Sequence, residues 1–195
     1  MQNWDNVSAS RIQPNDFVAV IEISKGSKKK YEIDLETGFI MLNRILHTST
    51  QYPANYGFIP RTISADGDAL DVLVLCSESL DPMSMVQCYP IGMVEMVDNG
   101  VSDEKIIAVP FKDPYYNLYT DVAKLPKHVS QEIIHFLSIY KDLEDGKISV
   151  HPMVGHTAAM KVIKQAKTAF CKKHCGKPCD QENKCTVGKQ VIYIK

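Results

Sequence analysis

An α+β fold, with a small antiparallel β-barrel first and helices last, is predicted by two features of the 195-residue sequence. Between residues 17 and 109, short apolar runs are separated by Gly, Asp and Pro, the texture of a small barrel rather than of strands alternating with helices. After Pro114, turn residues thin out and helical periodicity takes over. A chain of this length typically buries about 70% of its unfolded surface, so a single domain with its own core is expected over residues 1–195.

Residues 1–15 read as a polar lead-in. Residues 17–23 form an apolar strand in which Glu22 is out of place. Residues 24–30 read as a turn, and Tyr31-Glu32-Ile33-Asp34-Leu35 as the second strand of a hairpin with the first. Glu36-Thr37-Gly38 turns the chain again, into residues 39–45. Further strand signals are Ile59 and residues 71–76, 86–96 and 105–109. Val129, Ile133, Phe136, Leu137, Tyr140 and Leu143 recur at spacings of three and four, which predicts a first helix beginning near Ser130 and Gln131 and stopping at Gly146. Met160, Ile163, Ala166 and Phe170 predict a second helix over about 157–173.

The composition, 45% hydrophobic and 23% charged with 22 basic against 23 acidic residues, excludes a disordered chain and a general polyanion-binding surface. No apolar run approaches the roughly 20 residues of a membrane span, and the opening six residues are too polar for a signal peptide. A cytoplasmic protein with no membrane partner is expected. The charge is nevertheless uneven: residues 61–105 hold nine acids against two bases, and residues 161–195 hold nine lysines against two acids. Clustered carboxylates in an apolar segment repel and raise one another's pKa, so the acidic stretch needs a compensating cation or a wet surface.

Chemistry is concentrated in Asp66-Gly67-Asp68-Ala69-Leu70-Asp71, three carboxylates at the mouth of an apolar strand. Taken alone, Asp-Gly-Asp reads as a solvated hairpin turn. An EF-hand fails, because the sixth position from Asp66 is Asp71 rather than Gly and the twelfth is Ser77 rather than Glu. Asp98 and Asp103, which bracket the turn Asn99-Gly100, would repel the first three in any compact arrangement unless metal lay between them. Oxygen ligands without Cys or His select hard cations, Mg²⁺ or Mn²⁺ over Zn²⁺. Lys30, Arg44, Lys105 and Lys141 lie at strand or helix ends, and Tyr52 and Tyr56 frame Tyr52-Pro53-Ala54-Asn55-Tyr56-Gly57. Together they offer donors for phosphate oxygens, and carboxylates for metals beside cations for oxyanions describe a phosphoryl-transfer site.

These residues make the chain resemble the family I soluble inorganic pyrophosphatases over about residues 17–141. The family signature Asp-x-Asp-x-x-Asp stands here as Asp66, Asp68 and Asp71, and the match continues in order through Glu22, Lys30, Glu32, Asn43-Arg44, Tyr52 to Gly57, Asp98, Asp103, Lys105 and Tyr140-Lys141. The resemblance implies a closed five-stranded barrel of the oligonucleotide-binding type flanked by two C-terminal helices. It implies Mg²⁺-dependent hydrolysis of inorganic diphosphate to two orthophosphates, with Mn²⁺ as a substitute. It further implies that Asp66, Asp71 and Asp103 hold one metal, that Asp71 bridges to a second, and that Asp98 and Asp103 take another arriving with substrate, with Glu22 and Glu32 in the outer shell. Asp68 would orient and deprotonate the attacking water, supported by Tyr56 and Lys105, which also contact substrate. Lys30, Arg44, Tyr140 and Lys141 would grip the phosphates. A homo-oligomer, hexameric as in bacterial members, is also implied.

Two departures stand out. Ala69 replaces the usual Pro, and a Cys- and Lys-rich extension runs over about 171–195. Cys171, Cys175, Cys179 and Cys185, spaced C-x₃-C-x₃-C-x₅-C, leave Zn²⁺ binding, disulfides and free thiols open; Cys76 and Cys88 read as core residues. The rival reading is a barrel that binds single-stranded nucleic acid without catalysis. Its groove would want basic and aromatic walls, whereas the informative loops here are acidic, so no nucleic-acid partner is expected.

Overall fold

The computed structural model describes residues 7–34 and 36–175, the side chain of Cys175 excepted. In chain order the elements are β1 (Ile12–Gln13), β2 (Asp16–Ile23), β3 (Lys29–Ile33), β4 (Ile40–Ile45), β5 (Asn55–Ile59), β6 (Leu70–Val74), β7 (Met85–Asp98), β8 (Val101–Ser102), β9 (Lys105–Pro110), α1 (Lys127–Ile139), β10 (Ile148–Gly155) and α2 (His156–Cys175). Strand β2 pairs with β5, β5 with β6, β6 with β9, β9 with β7, and β7 back with β2, so five strands close a ring. This is the expected barrel with one correction: β6 and β9 run parallel. The parallel register sets Asp71 opposite Lys105, which matters at the site below.

The expected hairpin between residues 17–23 and 31–35 does not form. Both edges of β2 are taken by barrel partners, and β3 instead pairs with β4 in a separate two-stranded sheet. The turn that joins them is tied by Asp34, whose N–H donates to the Phe39 carbonyl at 2.9 Å and whose carboxylate accepts from the Thr37 N–H at 3.0 Å. Leu35 lies outside the described residues. The polar lead-in contains β1, whose Ile12 is fully buried against the core.

Strand β6 shows why its sequence is continuously apolar. Leu73 enters a cluster with Ile133, Phe136 and Leu137 of α1, whereas Leu70, Val72 and Val74 enter another with Ala159, Ile163 and Ala166 of α2. Both faces of the strand are buried, each in its own core cluster, so no alternation survives. Helix α1 ends at Ile139 rather than running to Gly146. Reverse turns follow, with the Asp142 N–H on the Ile139 carbonyl and the Glu144 N–H on the Lys141 carbonyl, and Leu143 is left exposed. Strand β10 has no counterpart in the sequence reading, because Pro152 and a bulge between Val150 and Met153 break its alternation. Among the described residues no helix is long and apolar enough to cross a membrane.

Asp113 organises the loop after β9. Its carboxylate accepts the backbone N–H groups of Ser77 at 2.6 Å, Tyr115 at 2.8 Å and Tyr116 at 3.2 Å. Burial works to raise its pKa, and these donors with the Cys76 thiol overcome that, lowering it from 3.8 to about 2. Such a group adds stability that is fully present above the unfolded value and is lost as pH falls through the folded one. Asp113→Ala is expected to cost about 1–3 kcal/mol at neutral pH. The gap in Tm between wild type and variant should close as pH falls from about 4 to about 2; a gap that is constant with pH contradicts the assignment.

Candidate active site

Nearly all the residues selected from the sequence line one cavity of about 880 Å³. Strand β2 contributes Glu22, β3 contributes Lys30 and Glu32, and β5 contributes Tyr56. Asp66 and Asp68 come from the loop before β6, Asp71 from β6, Asp98 from the end of β7, Asp103 from the connection between β8 and β9, Lys105 from the start of β9, and Tyr140 and Lys141 from the turn after α1. Arg44 is the exception. Its Nε donates to Glu144 Oε1 at 3.0 Å and its Nη2 lies 2.7 Å from Glu144 Oε2, so this bidentate pair holds it beside the cavity rather than in its lining.

The aspartate loop is shaped by its own hydrogen bonds. The Asp68 N–H and the Ser64 hydroxyl donate to Asp66 Oδ1 at 3.0 and 2.5 Å, and the Ser64 N–H donates to the Asp68 carbonyl at 2.8 Å. Gly67 takes φ +95°, a conformation open to glycine and strained for other residues. Asp68 is exposed, and partial desolvation followed by the neighbouring Asp66 and Asp71 raises its carboxyl. Asp103 is raised as well, again by burial first.

Lys105 stands at the centre. It is 4% exposed, and its ammonium donates to Asp71 Oδ2 and, at 2.5 Å, to Asp103 Oδ1. Burial works to lower its pKa, and the two carboxylates reverse that and raise it. The parallel β6–β9 register produces the Asp71–Lys105 pair directly. The hydroxyl of the half-buried Tyr56 bonds to Asp71, and desolvation followed by the Asp71 charge keeps that phenol protonated. Lys141 pairs with Asp98 at 2.5 Å and Lys30 with Glu32 at 2.6 Å, the latter also accepting Asn43 Nδ2 at 2.7 Å. Glu22, whose Oε1 accepts the Ile33 N–H at 3.0 Å, has its pKa raised by burial and then by Asp71 to about 8.

The lining thus carries seven carboxyl groups against five lysine and arginine side chains and is acidic on balance. Its carboxylates are oxygen donors, the kind that suits hard divalent ions. Among the described residues no three acidic, His or Cys side chains are drawn together around one point, since Lys105 separates Asp71 from Asp103.

Sequence reasoning missed the far wall: Arg61 and Thr62 before the aspartate loop, and Phe170, Lys173 and His174 of α2. Nothing in the local pattern marks them, because a lysine on an amphipathic helix reads as a solvated face. The zinc option falls largely outside the described residues: Cys179, Cys185 and the side chain of Cys175 lie beyond them, and Cys171 is buried and disulfide-bonded. Cys76 and Cys88 are buried free cysteines, as expected.

The family profile described as inorganic pyrophosphatase matches residues 19–171. Soluble inorganic pyrophosphatase 2 of Chlamydomonas reinhardtii is 44% identical over 163 residues, covering 84% of this chain and 85% of that protein. Soluble inorganic pyrophosphatase PPA1 of Solanum tuberosum is 44% identical over 160 residues, covering 82% and 76%. Among solved structures, the inorganic pyrophosphatase of Helicobacter pylori superimposes with a TM-score of 0.79 at 39% identity, covering 82% of this chain and 95% of that one. That of Neisseria gonorrhoeae does so with a TM-score of 0.80 at 32% identity, covering 86% and 99%. Sequence match, ring-closed barrel and acidic cavity agree: this chain belongs to the inorganic pyrophosphatase family.

Proposed function

We infer that this protein is an inorganic diphosphatase, hydrolysing inorganic diphosphate to two orthophosphates. The observation that carries the reading is the single cavity in which Asp66, Asp68, Asp71, Asp98 and Asp103 face Lys30, Lys105 and Lys141. A divalent metal cofactor is general to the family, and the all-oxygen donor set supports Mg²⁺, with Mn²⁺ as a substitute. Asp66, Asp71 and Asp103 would hold one ion, Asp71 would share a second, and Asp98 with Asp103 would take a further one, with Glu22 and Glu32 around them. Bound there, such ions supply charge neutralisation for the phosphates and a more acidic water.

The protein's own groups do the rest. Asp68 orients the attacking water and takes its proton, and its raised proton affinity suits that role. Tyr56 and Lys105 hold Asp71 in place. Lys30, Tyr140 and Lys141 receive the phosphates, and Arg44 reaches them from the rim through the Glu144 pair. Direct attack needs no protein nucleophile. The described lining contains no Ser or Cys, and the Thr62 hydroxyl is committed to the Ile59 carbonyl at 2.5 Å and the Leu70 N–H at 2.9 Å. The same reading keeps residues 1–195 as one domain with an extension from about 171. It also makes the protein a homo-oligomer, hexameric by analogy, which the exposed Phe39, Tyr115 and Leu118 support.

Phosphate release from diphosphate is expected to require a divalent ion, to stop with chelator and to return when Mg²⁺ is restored. Failure to release phosphate, together with retention of labelled single-stranded oligonucleotide at moderate salt, would overturn the assignment in favour of a binding barrel.

A further inference from the structure

Arg44 is carried by β4, a strand that pairs with β3 and, among the described strands, with none of the barrel. Sheet hydrogen bonds therefore fix Arg44 against Lys30, its partner in the β3–β4 register, but not against the opposite side of the cavity mouth. A run of side-chain contacts supplies what the sheet does not. Lys30 Nζ donates to Glu32 Oε1 at 2.6 Å, Asn43 Nδ2 to Glu32 Oε2 at 2.7 Å, and Arg44 Nη1 to Asn43 Oδ1 at 3.1 Å. The Nε–Nη2 edge of Arg44 then meets the Glu144 carboxylate at 3.0 and 2.7 Å, joining residues 100 positions apart.

Glu144 lies in the turn after α1, and its own N–H donates to the Lys141 carbonyl at 2.8 Å. Beside it, His47 Nδ1 is 3.4 Å from the Leu143 carbonyl, a second contact between the segment after β4 and this turn. One residue thus touches both of the segments that face phosphate: its carboxylate holds Arg44, and its backbone closes the turn that presents Lys141. A two-bond guanidinium–carboxylate pair fixes the plane and direction of the guanidinium, which a single point contact does not. The pair is shielded, with the Glu144 side chain 14% and the Arg44 side chain 21% exposed, so solvent screens it less than a fully exposed pair. Lys30, Lys105 and Lys141 have carboxylate partners as well, but Glu32, Asp71, Asp103 and Asp98 line the cavity and belong to the proposed metal set. Glu144 is outside that lining and outside that set.

We propose that Glu144 is a positioning residue for Arg44: its carboxylate orients the guanidinium at the rim and ties the β3–β4 hairpin to the turn after α1, so that Arg44 and Lys141 meet the phosphates in a fixed relation. This rests on the reading of Arg44 as a phosphate-gripping residue. Because phosphate is held both before and during cleavage, loss of the pair should raise KM for diphosphate and leave kcat nearly unchanged.

In the full-length protein with saturating Mg²⁺, Glu144→Ala is expected to raise KM about fivefold with kcat within about twofold, the scale of one partly shielded ion pair. Glu144→Gln keeps the size of the side chain and one acceptor, so it should fold as wild type and show an intermediate KM. Asp145→Ala, which removes an exposed acid from the same turn, should change neither constant. In an Arg44→Ala background, Glu144→Ala should cost little further, since the group it positions is gone. A wild-type KM for both Glu144 variants, a loss confined to kcat, or an equal fold-loss in both backgrounds overturns the proposal. So does a lowered KM, which would mean that Glu144 competes with phosphate for Arg44. Wild-type kinetics for Arg44→Ala would overturn the reading of Arg44 itself; an impaired Arg44→Ala beside a normal Glu144→Ala would remove only Glu144.

Discussion

Asp68→Asn is expected to slow phosphate release by about 10²–10⁴ at saturating Mg²⁺, the range for loss of a general base, while the fold and the affinity for divalent metal stay largely in place. The substitution keeps the shape of the side chain and removes its capacity to accept a proton. The loop should survive it, because the hydrogen bonds that shape residues 64–68 use backbone groups, the Ser64 hydroxyl and the Asp66 carboxylate. Asp66, Asp71 and Asp103, the residues proposed to hold metal, are untouched. The loss should therefore appear in kcat with an unchanged Tm and an unchanged Mg²⁺ titration. A kcat within about threefold of wild type under those conditions would remove Asp68 from the base role. The environment of the carboxyl adds a second readout. Partial desolvation first, then Asp66 and Asp71, raise its proton affinity, so the inflections of the wild-type pH–rate profile that belong to this carboxyl should be absent from the variant.

How far such a site can be read from sequence depends on whether its residues are joined by local or by distant geometry. Asp66, Asp68 and Asp71 were legible because one turn and the second residue of the strand that follows it carry them, so spacing alone brings them together. The acidic excess of residues 61–105 pointed to the same place. What spacing could not give was the partner of each carboxylate. The Asp71–Lys105 pair arises from a parallel pairing of β6 with β9, and the long strand β7 intervenes in the chain between them. The β2–β7 pairing that closes the ring is of the same kind. Local pattern favoured β2 with β3, and the barrel overrode it because β5 and β7 already occupy both edges of β2. Apolar spacing likewise carried α1 on to Leu143, whereas the chain turns after Ile139, and that turn delivers Lys141 to the cavity and Glu144 to Arg44. The α2 wall was invisible for another reason. Lys173 has the spacing of a solvated face and is indeed exposed, and only the docking of Ala166 and Phe170 on the Arg61 to Ile63 segment brings that end of the helix to the edge of the cavity.

Gly57→Ala is expected to be the most damaging single methyl group that can be added to the barrel. Gly57 lies in β5 opposite Ile21 of β2, and a Cβ built there would fall 1.8 Å from the Val20 carbonyl oxygen, 2.8 Å from the Val20 carbonyl carbon and 2.9 Å from Ile21 Cα. All three obstacles are backbone, so no rotamer change relieves the overlap; the strands must separate. A loss of about 4 kcal/mol or more follows, at the extreme of point substitutions, and for a chain of this size it corresponds to a fall in Tm of about 10 °C or to failure to accumulate as soluble protein. Thermal unfolding followed by circular dichroism tests this, and a Tm within about 2 °C of wild type would show that β2 and β5 do not approach so closely. The site should suffer with the fold. Tyr56, the residue before Gly57, bonds to Asp71, and Glu22, the residue after Ile21, lines the same cavity. Prising β5 from β2 pulls these two walls apart, so whatever variant protein remains folded at low temperature should also show a reduced kcat. The same bare backbone contact that lets the barrel close also brings Tyr56 and Glu22 to one cavity.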